Sequence, residues 1–415
     1  MEHINTQKNT TLSTQPVSPS LGGGQGEASP FDETIERRGT GCYKWDVEEA
    51  QGATPMWVAD MDFRAATPII EALSRRVSHG VFGYTQVPDA YYEAIIHWFA
   101  RRHSWHIDRE WIIYTSGVVP ALSAVVKALA QPGDKVIIQT PVYNCFFSSI
   151  RNNGCIIEEN PLVYDGHTYH IDFHDLERKA ADPSARLLVV CNPHNPAGRV
   201  WTPDELERMN DICLRHGVRV VSDEIHCELV MPGHRFTPLA SISPACQDNC
   251  ITLNSPSKSW NIAGLQIANI ICNNPDIRQR IDRAININEV CDVNPFGVVA
   301  LIAAYNECGY WIDQLCEYLH DNYVFLCHYL GSHLPQVGIT TLEGTYLVWV
   351  DIRPLGIGSD EVTEKLLHEG KVLVNNGTMY GQTAGEGFIR INIACPRAQL
   401  EEALKGICHT LADKA

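Results

Sequence analysis

The chain has 415 residues, of which 45% are hydrophobic and 20% charged, and its formal net charge is −17. These proportions are typical of a soluble globular protein with ample core. The negative charge argues against nucleic acid and membrane surfaces as partners, because both are bound through basic patches. No apolar run reaches the length of a membrane span, and the N-terminus lacks the pattern of a signal peptide.

Fifteen cysteines are scattered along the chain, many inside apolar runs. This placement predicts buried, reduced thiols and a cytoplasmic location rather than a disulfide framework. The single short-range pair, Cys246 and Cys250, has no second pair that would complete a zinc site. His167, His170 and His174 alternate with aromatic residues, which favours a solvated face over a metal site. We therefore predict no metal.

The first part of the chain divides into a polar tail and a globular region. Residues 1–30 are rich in Thr, Ser, Gln, Gly and Pro, so we predict a disordered tail. Apolar spacing then predicts amphipathic helices over 68–79 and 89–103.

The middle of the chain alternates between strands and helices. A helix should begin at Pro203, with Thr202 as its N-cap and Glu205 completing a capping box, and Gly217 should end it. Strands are predicted near 136–139, 155–158, 186–191, 218–222, 251–254 and 266–272. This order indicates an α/β doubly wound domain with a mostly parallel sheet.

The order of elements changes after about residue 295. A long helix is expected around 310–331, followed by two apolar strands and a final helix from about 397. We predict a second, smaller α+β domain that the N-terminal segment completes. The predicted division is 31–75 for that N-terminal segment, 76–294 for the large domain and 295–415 for the rest of the small domain.

Lys258 lies in the run 251–264, where a short apolar strand breaks into a Ser-rich loop. A lysine placed this way is a candidate Schiff-base nucleophile for a carbonyl cofactor. Asn195 follows the strand that ends near 191, and Asp223 and His226 follow the strand over 218–222. Because the carboxyl ends of parallel strands line one crevice, we expect these side chains to converge.

Pyridoxal 5′-phosphate (PLP) is a cofactor that would need these residue types. Its ring nitrogen calls for a buried carboxylate, which Asp223 can provide, and its phenolic oxygen calls for a donor such as Asn195 or His226. Its phosphate calls for backbone amides at a helix start and for hydroxyls. The candidates for the phosphate are Ser116, Gly117, Val118, Ser255 and Ser257.

Four motifs together resemble the fold-type I PLP enzymes of the class I/II aminotransferase superfamily. They are the SG pair at 116–117, NPHNPAG at 192–198, DEIH at 223–226 and SPSK at 255–258. Three further runs resemble the MalY/PatB family of PLP-dependent C–S β-lyases of the cystathionine β-lyase type. These are MWVADMDF at 56–63, HGVFGYT at 79–85 and SDEIHCEL at 222–229. The resemblance implies the aspartate aminotransferase fold.

The resemblance also implies roles for individual residues. Lys258 would carry PLP and remove the substrate Cα proton, Tyr143 would cover the ring, and Arg390, with Asn195, would bind the substrate carboxylate. Tyr84 would reach the phosphate of a neighbouring subunit and contribute to catalysis and substrate binding there, which implies a homodimer. One departure is Gln266, since many relatives carry a cation at that position for the phosphate. Neither Lys127 nor Arg199 is an obvious substitute.

The activity that this resemblance implies is cleavage of L-cystathionine or related S-substituted cysteines to a thiol, pyruvate and ammonia. Two alternatives remain at this point. One is a PLP-dependent aminotransferase of an L-amino acid, because a small difference between competing barriers decides which product forms. The other is a regulatory PLP-binding protein that acts through a partner protein.

Overall fold

The computed structural model describes residues 29–287 and 292–412, so nearly all of the predicted tail lies outside the described residues. The helices, in chain order, are α1 (Tyr43–Asp46), α2 (Thr67–His79), α3 (Asp89–His103), α4 (Val118–Leu129), α5 (Asn144–Asn152), α6 (Phe173–Ala180), α7 (Pro203–Arg215), α8 (Pro244–Asn249), α9 (Pro275–Asn286), α10 (Pro295–Glu307), α11 (Gly309–His333), α12 (Ser359–His368) and α13 (Arg397–Leu411). Short 3₁₀ turns lie between several of them.

The strands, in chain order, are β1 (Thr54–Pro55), β2 (Ile112–Thr115), β3 (Lys135–Ile138), β4 (Ile156–Glu159), β5 (Val163–Tyr164), β6 (Tyr169–His170), β7 (Ala185–Cys191), β8 (Arg219–Asp223), β9 (Cys250–Asn254), β10 (Ala268–Ile271), β11 (Gly338–Ile339), β12 (Leu347–Asp351), β13 (Val372–Leu373), β14 (Asn375–Asn376) and β15 (Phe388–Asn392). Seven of them form the central sheet, in the order β2-β10-β9-β8-β7-β3-β4. Only β10 runs against its two neighbours. The predicted mostly parallel sheet is therefore confirmed.

Both faces of the central sheet are buried, and for this reason its strands are almost continuously apolar. Alternate side chains of β7 enter different cores: Leu187 packs with helices α4 and α9, whereas Leu188 belongs to the larger core on the other face. The ends of β7 and β9 lie beside the end of β8, because Asp223 pairs with Cys191 on one side and with Leu253 on the other. Residues that follow these ends therefore start from one edge of the sheet.

The predicted helices are present because the residues that cap their ends agree with the spacing of the apolar residues along them. Helix α3 has the predicted bounds, and α7 begins at Pro203 as expected. Thr202 Oγ1 accepts a hydrogen bond from Glu205 N, and the Glu205 carboxylate accepts one from Thr202 N, which is the predicted capping box. The helix ends at Arg215, just before Gly217, whose φ of 71° is left-handed.

The C-terminal part forms a second sheet with the strand order β11-β12-β15-β14, whose strands pair antiparallel. Strand β1, from the N-terminal segment, pairs in parallel with β13, so the two ends of the chain are joined by backbone hydrogen bonds. Phe31 is buried against Phe63 and Trp311. The domain boundaries after residues 75 and 294 remain predictions. Within the described residues, every helix is too short or too polar to cross a bilayer.

Candidate active site

A cavity of about 190 Å³ lies at the carboxyl ends of the central strands. Its walls come from three strand ends, from the start of α4 and from the N-terminal segment. It is lined by Ala59, Gly117, Val118, Val119, Pro120, Tyr143, Cys191, Asn195, Asp223, Ile225, His226, Ser257, Lys258 and Ala263. The convergence that we expected for Asn195, Asp223, His226 and Lys258 is therefore present.

Lys258 enters the cavity from the loop that follows β9. Its Nζ donates a hydrogen bond to the carbonyl oxygen of Ala59 at 2.6 Å, and the Tyr346 hydroxyl donates to the same oxygen at 2.9 Å. Burial lowers the pKa of Lys258 to about 8, and the Arg390 guanidinium acts in the same direction. A lysine with this pKa is partly neutral near pH 8 and can act as a nucleophile or a base.

Asp223 is the last residue of β8 and is 4% exposed. Its carboxylate accepts one hydrogen bond, from Ile225 N at 3.1 Å. Burial raises the pKa of Asp223 to about 7, and only that bond and the Lys258 charge oppose the shift. Such a carboxyl is suited to hold a positively charged group that enters the cavity.

Arg390 and Asn195 meet at one side of the cavity. Arg390 Nη1 donates to Asn195 Oδ1 at 3.1 Å, and Nη2 donates to the carbonyl oxygen of Trp57 at 2.7 Å. The Nε of Arg390 is buried and has no hydrogen-bond partner among the described residues, and the guanidinium lies 4.8 Å from the ring centre of Tyr380. A buried guanidinium with spare donor capacity is suited to bind a carboxylate.

His226 and Tyr143 supply rings to the cavity wall. His226 is buried, its Nδ1 has no partner, and burial lowers its pKa to about 3, so the ring is neutral. Its edge faces Tyr346, with ring centres 6.0 Å apart. Burial also raises the pKa of Tyr143. Both residues lie where the sequence places them, and their roles remain predictions.

The five phosphate candidates lie in different places. Gly117 and Val118 line the cavity at the N-terminus of α4, where first-turn amides have no intrahelical partner. Ser257 also lines it. Ser255 instead donates its hydroxyl to Ile267 O at 2.6 Å and accepts from Ser257 N, so it supports the lysine loop. Ser116 lines an adjacent cavity.

The remaining candidates lie away from this cavity. Tyr84 is fully exposed and does not line it. Gln266 is exposed, and Arg199 forms ion pairs with Glu205 and Glu343. Lys127 lines the adjacent cavity with Ser116. Within the described residues, neither Lys127 nor Arg199 lines the cavity.

Sequence reasoning assigned no role to Trp57, Ala59 and Tyr346. Trp57 and Ala59 act through carbonyl oxygens, which every residue type carries, so no pattern of side chains identifies them. The motif at 56–63 indicated that this segment matters, but not why. In the sequence, Tyr346 has the pattern of an ordinary core aromatic residue, and it directly precedes β12.

One group of potential metal ligands among the described residues lies outside the cavity, at His103, Cys227 and Glu228. His103 Nε2 lies 2.7 Å from Glu228 Oε1, and Trp98 Nε1 donates to the same oxygen at 2.7 Å. These contacts pair Glu228 Oε1, and Arg102 Nε lies 3.5 Å from Oε2, so neighbouring side chains hold the turn that follows β8. His170, from the histidine cluster, pairs instead with Asp165.

The donor set fits PLP. A buried carboxyl without a paired cation suits a protonated ring nitrogen, a lysine of lowered pKa suits the aldehyde, and free amides at the start of α4 suit the phosphate. The partnerless buried Nδ1 of His226 leaves one more polar group available to a ligand. The chemistry of the cavity thus agrees with the resemblance found in the sequence.

Comparison with known proteins gives a consistent result. The family model "Aminotransferase class I and II" matches residues 59–407. Cystathionine beta-lyase PatB of Bacillus subtilis is 43% identical over 91% of this chain and 98% of its own length. Protein MalY of Escherichia coli is 34% identical over 92% and 98%.

A solved structure, the PLP-bound putative aminotransferase from Clostridium difficile 630, superposes with a TM-score of 0.90 at 41% identity. The match covers 92% of this chain and 99% of that one. Both the sequence and the fold are thus shared over almost the whole length. The chain belongs to the class I and II aminotransferase family and, within it, to the group that contains PatB and MalY.

Proposed function

We propose that this chain is a PLP-dependent C–S β-lyase that releases a thiol, pyruvate and ammonia from L-cystathionine or related S-substituted cysteines. The observation that carries the proposal is the presence of Lys258 and Asp223 in one cavity that Asn195, the hydrogen-bond partner of Arg390, also lines. The relatives support the same activity: PatB is named a cystathionine beta-lyase, and a relative of similar fold is PLP-bound.

Arg390 would bind the substrate carboxylate, since its unpaired Nε and its fork of donors match two carboxylate oxygens. Its bond to Asn195 fixes the guanidinium plane before substrate arrives. The amino acid is then oriented with its Cα toward Lys258. Because the Arg390 guanidinium is already oriented, substrate binding costs no free energy for reorienting it.

PLP, when bound, withdraws electrons from the substrate Cα. Asp223 would keep the ring nitrogen protonated, because a buried carboxylate and a protonated nitrogen stabilise each other's charged form. Lys258 would remove the Cα proton and could then protonate the departing sulfur, since its amine lines the cavity and its pKa is lowered to about 8. His226, which is neutral, and Asn195 would contact the phenolic oxygen, and Tyr143 would cover the ring.

The phosphate would be held by the amides of Gly117 and Val118 and by Ser257, all of which line the cavity. A fully exposed Tyr84, beside exposed Val81 and Phe82, supports a homodimer in which Tyr84 completes the site of the second copy. Such a contribution would supply a donor where position 266 lacks a cation.

We also place the protein in the cytoplasm. Fourteen cysteines of the described residues are free thiols, and ten of those are buried. Thiols of this kind are typical of a reducing compartment.

The test is to incubate the holoenzyme with L-cystathionine and to assay pyruvate and free thiol. The proposal requires both products in equal amounts without any added keto acid. A keto acid that forms only when an acceptor keto acid is supplied would instead identify an aminotransferase. Capture of a partner protein without turnover would favour the regulatory alternative.

A further inference from the structure

The 56–63 segment holds both charged groups of the substrate site through its main chain. Arg390 Nη2 donates to Trp57 O, and Lys258 Nζ donates to Ala59 O. These carbonyl oxygens are two residues apart, on a segment that bends at 58–60. The spacing between the base and the carboxylate-binding group therefore depends on where this segment lies.

Asn392 fixes the segment on the arginine side. It lies on β15 two residues after Arg390, is 1% exposed, and donates from Nδ2 to Val58 O at 2.5 Å and to Asp60 O at 2.7 Å. Its backbone N donates to Met56 O at 2.8 Å. From Met56 to Asp60 the carbonyl oxygens thus alternate between Asn392 and the charged groups of the site. Trp57 O also accepts from Asn375 Nδ2 at 3.1 Å.

Asn261 fixes the other end of the segment on the lysine side. It lies three residues after Lys258 and donates from Nδ2 to Met61 O at 2.9 Å and to Phe63 O at 2.8 Å. Its Oδ1 accepts from Met61 N at 3.0 Å. Its φ of 56° is left-handed, a conformation that asparagine tolerates better than most residues.

We infer that Asn261 and Asn392 are positioning residues: each ties the 56–63 segment to the loop or strand that carries one reacting group, and together they set the geometry between Lys258 and Arg390. This inference rests on the proposed function. Neither asparagine lines the cavity, so both act through the carbonyl oxygens of Trp57 and Ala59. Trp57 O contacts the group that would bind the substrate carboxylate, whereas Ala59 O contacts the group that would remove the proton. Asn392 and Asn261 should therefore differ in their effects on KM and kcat.

Removing the amide of Asn392 takes one donor from Val58 O, which keeps Asp60 N at 2.9 Å. It also takes the shorter bond from Asp60 O, which keeps Lys44 Nζ at 3.4 Å, so the segment next to Trp57 is held less firmly. Arg390 then loses a fixed partner, so Asn392→Ala should raise KM about tenfold and leave kcat within a factor of about two. Asn261→Gly keeps the left-handed backbone but removes the bonds to Met61 and Phe63, which follow Ala59 in the segment. It should lower kcat about tenfold with KM within a factor of about two.

The matched control is Asn249→Ala. Asn249 is also buried and also donates its amide to a main-chain carbonyl, that of Val218 at 3.1 Å, at the end of the central sheet remote from the cavity. This variant should lower the melting temperature without changing KM or kcat per active site. Kinetics of the three holoenzymes on L-cystathionine, normalised to bound cofactor, give the comparison.

A second measurement does not depend on turnover. L-Alanine lacks a leaving group, and its binding can be followed by titrating the cofactor absorbance. Asn392→Ala should weaken that binding about tenfold and Asn261→Gly should not change it. If both asparagine variants changed kcat and KM to the same extent, the inference would be overturned. A response like that of Asn249→Ala would also overturn it. If wild-type enzyme released no pyruvate, the proposed function would fail while this titration still tested the positioning roles.

Discussion

Arg390 and Asn195 are far apart in the sequence, yet Nη1 of the arginine donates to Oδ1 of the asparagine at 3.1 Å. The bond joins β15 of the C-terminal sheet to the turn that follows β7, so the large sheet helps to fix the position of the guanidinium. It leaves Nε of Arg390 unpaired in a buried position.

Replacing Arg390 by lysine should therefore weaken substrate binding more than it slows the chemical step. Lysine keeps the charge but loses the planar fork, the bond to Asn195 and the bond to Trp57 O. We expect KM for L-cystathionine to rise between about tenfold and a hundredfold, with a smaller fall in kcat. Steady-state kinetics check this, and an unchanged KM would remove Arg390 from the substrate site.

Covalent attachment of PLP to the cofactor-free protein should depend on pH in a way that reports Lys258. Its pKa is lowered to about 8, so the neutral amine accumulates as the pH rises toward that value. The attachment rate should rise up to pH about 8 and then level off. Stopped-flow absorbance measures this rate, and a rise that continues toward pH 10 would show an amine of ordinary pKa.

Asp223→Asn should stabilise the cofactor-free protein at high pH and impair the holoenzyme. The folded pKa of Asp223 is about 7 against an ordinary 3.8, so its contribution to stability is full below pH about 4 and is lost as the pH rises to about 7. The gain in unfolding free energy should therefore grow between pH 5 and 8, up to about 4 kcal/mol.

Denaturant unfolding at both pH values checks the first part of that prediction, and a gain that shrank at pH 8 would contradict it. The same substitution removes the carboxylate that we propose as the partner of the ring nitrogen. PLP affinity and kcat should both fall, the latter by about a hundredfold or more. Dialysis against buffer followed by absorbance measures the retained cofactor.

Tyr84 offers a test of the dimer that needs no structure of the assembly. If Tyr84 serves the second copy, Tyr84→Ala and Lys258→Ala proteins are each nearly inactive, but a mixed dimer has one intact site. Refolding an equal mixture should restore about one quarter of the wild-type activity, because half of the dimers are mixed and each has one good site of two. No recovery, or a fully active monomer in sedimentation, would refute the shared site.

Much of the fold could be predicted from local patterns. Helix α3 and the capping box of Thr202 and Glu205 depend on residues a few positions apart, and the structure reproduces them. The strands over 185–191 and 219–223 were recognisable as buried β-branched runs. The short β2, before Ser116, was not predicted, because its apolar run lies between a 3₁₀ turn and a helix start.

The site was predictable where the chemistry requires a particular side chain. Lys258, Asp223 and Asn195 could be named because few residue types can do what PLP needs, and they follow strand ends. Ala59 could not, because its carbonyl oxygen is common to every residue and its partners are about two hundred or more positions away. Ser255 has the expected residue type, but its hydroxyl bonds within the loop.

The most direct test of the account is to reduce the holoenzyme with borohydride, digest it and locate the cofactor by mass spectrometry. The account predicts one reduced cofactor per chain, attached to the peptide that contains Lys258, and none in Lys258→Ala, whose pyruvate release should fall by about a thousandfold or more. Cofactor attached to a different lysine, or an undiminished rate in Lys258→Ala, would contradict it.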